Sequence, residues 1–151
     1  MKNAPFTTTL RSYSTCIKTV DPQGKKISGT GLFFNLRIKG KGNVPLLIAN
    51  KHLVAETEKG SFSLPTTTQN GTPSKKPCVY AFEEGFSQHW IAHPNENIDL
   101  SILPLKDFIA AARRTKRRVS IKALSEKDLP KKSPFWLVIK DLLEEYKPLL
   151  A

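Results

Sequence analysis

Apolar and polar residues alternate in short bursts through roughly the first hundred positions, and turn chemistry separates the bursts. Tyr13 to Val20 alternates and is β-rich. Asp21-Pro22-Gln23-Gly24 follows, with proline early and glycine late, as a β-turn requires. Gly29 to Ile38 predicts a second strand, ended by Gly40-Lys41-Gly42-Asn43. Pro45 to Asn50 is an unbroken apolar run suited to a buried third strand, and His52 to Glu56 reads as a single helical turn. Further extended segments are expected at Phe62 to Leu64, Val79 to Phe82, Trp90 to His93 and Leu100 to Leu105. A polar loop over Thr66 to Pro77 carries an Asn70-Gly71 turn signal. About six short strands without long helices between them predict a mainly β fold, a small closed antiparallel barrel.

The pattern changes after Pro104. Asp107 to Arg118 is helical by periodicity, Val119 to Leu124 is a strand candidate, and Ser125 to Pro134 is a lysine- and proline-bearing loop. Phe135 to Leu150 places Trp136, Ile139, Leu142, Leu143, Tyr146 and Leu150 at helical spacing. The expected organisation is therefore a barrel over 10–106 and a basic, amphipathic helical extension over 107–151.

Composition fits one ordinary folded domain: 151 residues, 39% hydrophobic and 25% charged. No apolar run approaches the ~20 residues of a membrane-spanning helix, so no membrane association is expected. The N-terminal residues Met1 to Phe6 do not read as a secretory signal. Two cysteines, Cys16 and Cys78, make no disulfide framework. They are expected as small buried hydrophobes in a reducing cytoplasm.

The net charge of +11 changes the picture more. A basic protein attracts nucleic acid, anionic lipid heads or acidic proteins. Arg113-Arg114-Thr115-Lys116-Arg117-Arg118 concentrates that charge. With no aromatic interleaving, it is expected mainly as a solvated helix end, with at most weak, sequence-blind nucleic-acid binding.

The candidate chemistry lies where two apolar runs deliver polar residues. His52 ends the Leu46-Leu47-Ile48-Ala49-Asn50-Lys51-His52 run, and Asp99 precedes Leu100-Ser101-Ile102-Leu103. An aspartate that fixes the tautomer of an imidazole makes it a general base, and this pair is the candidate for that role. His89 and His93, with Glu83-Glu84 nearby, fall short of a convincing zinc ligand set. No metal or cofactor is expected. The thiols of Cys16 and Cys78 are not expected as nucleophiles, because apolar surroundings make a thiol inert.

Four segments together carry a family resemblance: Ser28-Gly29-Thr30-Gly31-Leu32-Phe33-Phe34, Leu47-Ile48-Ala49-Asn50-Lys51-His52, Trp90-Ile91-Ala92-His93-Pro94 and Ile98-Asp99-Leu100-Ser101-Ile102-Leu103-Pro104. In order and spacing they resemble trypsin-like serine peptidases, particularly the bacterial, disulfide-free members. The resemblance spans roughly residues 10 to 130, the N-terminal barrel of the two-barrel chymotrypsin fold. It implies that His52 is a general base and Asp99 its orienting carboxylate. Leu53 stands where secreted relatives have a cysteine, which agrees with a cytoplasmic home. The family's nucleophile sits in a Gly-x-Ser-Gly turn of a second barrel, and this sequence contains no such turn. The expectation is a serine-endopeptidase-like chain, cut short before the nucleophile barrel and inactive alone, whose substrate would be a peptide or protein if a complementary half completed it. One half of a split peptidase and a non-catalytic protein- or nucleic-acid-binding module are the alternatives.

Overall fold

The computed structural model describes residues 13–38, 40, 42–128, 137, 140, 141, 143 and 144. Seven strands form one antiparallel sheet: β1 (Ser14–Val20), β2 (Lys26–Ile38), β3 (Gly42–Ala49), β4 (Lys59–Leu64), β5 (Cys78–Phe82), β6 (Ile91–Ala92) and β7 (Ser101–Pro104). Their order across the sheet is β5-β4-β1-β2-β3-β7-β6. Helix α1 (Lys51–Val54) follows β3, and α2 (Lys106–Arg114) follows β7. No helix of the described residues is long and apolar enough to cross a membrane.

The sheet is not a closed six-stranded barrel. Each edge strand has one partner: β5 pairs with β4, and β6, only two residues long, pairs with β7. Closure would require β5 to meet β6, and these two strands do not pair. Gly85, at φ 72°, turns the backbone into a 3-10 turn over Phe86–His89. The Phe86 and Trp90 rings then join the buried core, 5.9 Å apart, with Phe86 5.4 Å from Phe82 of β5. Gly60 of β4 makes room for Phe86, because a Cβ there would lie 2.1 Å from its ring.

The sheet nonetheless packs its strands against one large inner core. Ile17 of β1, Phe33 of β2, Leu47 of β3, Phe62 of β4 and Leu103 of β7 all belong to one buried cluster, joined by Phe108 and Ile109 of α2. Successive strand side chains point to opposite faces, so the neighbours of these residues form a second cluster: Phe34, Leu36, Leu46, Ile48 and Ile102. The central strands are therefore buried on both faces, as the unbroken apolar run of β3 implies. Leu143, which is helical, packs on the outer cluster and is buried. The other apolar positions of the expected C-terminal helix, Trp136, Ile139, Leu142, Tyr146 and Leu150, lie outside the described residues.

Three further expectations change. Val119 to Leu124 is not a strand but makes two isolated bridges, Thr66 with Val119 and Phe34 with Leu124. Pairing of β2 with β1 ends at Leu32, which leaves the backbone of Phe33 and Asn35 open for Leu124. Helix α2 ends at Arg114 rather than Arg118. Lys116 adopts φ 61°, and the N–H groups of Lys116 and Arg117 cap Arg113 O and Ala112 O, a Schellman stop. Cys16 is exposed and Cys78 half-buried. In β1 the inward face is Thr15, Ile17 and Thr19, which turns Cys16 outward.

Candidate active site

The register between β3 and β7 creates the site. Ala49 pairs with Ser101 at the last rung of the ladder. The antiparallel chains run on beyond that rung, so the residues just after Ala49 lie level with those just before Ser101. Two segments distant in sequence thus emerge together at one sheet end, with His52 on one and Asp99 on the other.

Asn50, Lys51 and His52 all grip the opposing loop. The Asn50 side-chain amide donates to Asp99 O at 3.2 Å. Lys51 Nζ donates to His93 O at 3.1 Å and Asn95 O at 3.3 Å. The backbone N–H of His52 donates to Asp99 Oδ1 at 2.7 Å, while the imidazole Nδ1 is hydrogen-bonded to Asp99 Oδ2. One carboxylate thus receives both the backbone and the ring of the same residue, which fixes the imidazole's orientation as well as its position.

Burial tends to raise the Asp99 carboxyl, but the backbone hydrogen bond, the ring hydrogen bond and the charge of His52 outweigh it. The net effect holds Asp99 below the usual carboxylate range. An ionised Asp99 can only accept, so the neutral imidazole carries its proton on Nδ1 and presents the Nε2 lone pair elsewhere. The His52 side chain is 74% exposed and that of Asp99 45%. The carboxylate is therefore open to solvent, not buried as its apolar sequence surroundings imply. Loop residues 95–99 carry it outside the sheet, whereas the apolar neighbours Ile102 and Leu103 point into the two cores.

A buried scaffold stands under this exposed pair. A four-residue helix leaves most of its carbonyls without internal partners, and side chains supply them here. Thr19 Oγ1 of β1 donates to Leu53 O at 3.1 Å, and Thr57 Oγ1 donates to Val54 O at 2.6 Å. Leu53 and Val54 are buried in the inner core. Gly29 of β2 leaves room for Leu53, since a Cβ there would meet Leu53 Cδ2 at 2.7 Å. Thr19 and Thr57 escape sequence reasoning, because a threonine in a strand or turn looks the same whether or not its hydroxyl holds a distant carbonyl.

The other candidate histidines serve packing. The His89 ring lies 4.8 Å from Phe82 and 6.3 Å from Phe108. His93 is buried, and its Nδ1 accepts from Asn95 N–H at 3.0 Å. No described hydroxyl or thiol hydrogen-bonds His52 Nε2. No family model, curated protein or solved structure matches this chain.

Proposed function

We propose that this chain supplies the general base and its orienting carboxylate to a serine-type endopeptidase site, with His52 as base and Asp99 as its partner. The observation that carries the reading is the double contact of His52 N–H and Nδ1 with one carboxylate. That arrangement sets both tautomer and ring direction, the two properties a proton shuttle needs. The exposed Nε2 face supports a nucleophile brought from outside the described residues. A sheet whose strands share an inner core, with this pair at its end, also suits the N-terminal barrel of the trypsin-like fold.

In this reading a serine hydroxyl from a second barrel approaches Nε2. The imidazole takes the Oγ proton as Oγ attacks the peptide carbonyl carbon, and backbone N–H groups of that barrel hold the oxyanion. Asp99 stays ionised and stabilises the imidazolium. The imidazolium then protonates the leaving amine, and water repeats the cycle on the acyl-serine. The substrate is a peptide or protein.

Nitrogen-resolved NMR of His52 tests the half in hand. The proton should reside on Nδ1 at neutral pH, and Asp99→Ala should shift the ring toward the Nε2–H tautomer. A wild-type ring carrying its proton on Nε2 would refute the base assignment. Addition of a Gly-x-Ser-Gly barrel from a trypsin-like peptidase tests the rest. Serine-directed phosphonate should label that barrel only when this chain is present, and His52→Ala should abolish labelling. Labelling that survives His52→Ala would remove this histidine from the mechanism.

A further inference from the structure

We propose that a cleft between the loop over residues 66–76 and the turn after α2 binds the phosphodiester backbone of nucleic acid without reading its bases. The cleft has a volume of about 730 Å³, and its cationic lining consists of Lys76, Arg113, Lys116, Arg117 and Arg118, with no acidic residue. The ion pairs seen among the described residues, His52 with Asp99 and Lys59 with Glu83, lie elsewhere. Compensation of a helix C-terminus accounts only for Arg113 and Arg114, because α2 stops there.

Backbone carbonyls hold two of the remaining cations in place. Arg117 Nη2 donates to Lys76 O at 2.7 Å and Pro77 O at 3.1 Å, and Arg118 Nη1 reaches Gln69 O at 3.5 Å. Neutral carbonyls orient a guanidinium without cancelling its charge. The opposite wall is tied down as well. Thr67 N–H donates to Arg118 O and Ser120 N–H to Pro65 O, each at 2.8 Å, and Ser74 N–H donates to Thr66 O at 2.9 Å.

Lys116 adds an independent observation. Its left-handed φ of 61° is strained for a non-glycine residue, and glycine is the usual residue at such a helix stop. A lysine there trades stability for a charge directed at the cleft, and strain of this kind concentrates at functional positions. Planar guanidinium forks suit phosphate oxygens. No aromatic side chain lines the cleft to stack on bases, so the contact is with the backbone alone.

The test titrates the full chain with a labelled DNA duplex and a single-stranded RNA of equal length across a salt series. Lys76→Gln with Arg113→Gln is the diagnostic variant, since neither side-chain cation makes a hydrogen bond among the described residues. It should lower the magnitude of the log–log salt slope by about 2 and weaken low-salt binding by about tenfold. Lys25→Gln with Lys26→Gln, at the β1–β2 turn, should leave the slope unchanged. The polymer more weakened by the diagnostic variant is the one the cleft holds. Equal losses in the two double variants would overturn the proposal in favour of diffuse attraction. Absence of binding at low salt, or displacement by poly-glutamate as effective as by unlabelled nucleic acid, would also overturn it.

Discussion

The end of the sheet that carries His52 and Asp99 and the cleft that carries Arg117 and Arg118 are both exposed, polar and built from segments distant in sequence. They are held in opposite ways. At the sheet end, a carboxylate accepts directly from an imidazole, above a helical turn whose Leu53 and Val54 are sunk in the core. In the cleft, like charges stand side by side, and neutral carbonyls from the loop and the turn position them. The first arrangement makes one imidazole directional. The second makes a surface attractive to an extended anion. Stability is therefore expected to depend steeply on the scaffold of the first and weakly on the side chains of the second.

The largest effect should come from beneath the histidine. Leu53→Ala removes a buried side chain that fills the space above Gly29, and should cost about 3 kcal/mol in urea unfolding. Arg117→Gln in the cleft should cost less than about 1 kcal/mol. Similar losses at the two positions would abolish the distinction between the regions.

Thr19→Val keeps shape but deprives Leu53 O of its buried donor. A loss of about 1–2 kcal/mol is expected. The His52 Nδ1–H resonance should also broaden as the turn loosens. Loss of stability with that resonance unchanged would show that the threonine holds the sheet rather than the site.

Lys116→Gly should move two properties in opposite directions. Relief of the left-handed conformation should raise stability by about 1 kcal/mol, while nucleic-acid binding weakens. Stabilisation without a loss of binding would place Lys116 outside the interface.

The smallest effect concerns pH. The carboxyl of Asp99 is held below its ordinary value, so its ionised form favours the folded state. That contribution is fully present above the unfolded carboxylate value of about 3.9. It is lost as pH falls through the lower folded value. The stability difference between wild type and Asp99→Asn should therefore shrink as pH falls from about 4 towards 2. A difference that grew across that acid window would contradict the assigned direction.

These two regions were not equally legible beforehand. His52 and Asp99 could be paired from sequence because each abuts a compact apolar run, and antiparallel neighbours bring such ends together. The Arg113–Arg118 run was equally visible, but its role depends on Lys76 and on the loop over residues 66–76. Tertiary contacts bring those to it: the bridge between Thr66 and Val119 and the hydrogen bonds of Arg117 and Arg118 to the loop. Periodicity carried the helix on to Arg118 because arginine and lysine favour helices. Lys116 ends it sooner through a backbone conformation that residue type does not advertise.

By itself the sequence determined the strand-rich character, the doubly buried β3 and the helical turn after it, and made His52 and Asp99 candidates for one site. The first three follow from local periodicity; the β3–β7 register is what brings His52 and Asp99 together. Tertiary structure decided the rest. The sheet stays open, with β5 and β6 at opposite edges. Cys16 faces outward because either phase of β1 offers only a modest apolar face, and Ile17 took the core. Asp99 is exposed because loop residues carry it past the last rung. Each outcome turns on competition between distant segments for the same space or the same backbone partner, and no short stretch of sequence contains both competitors.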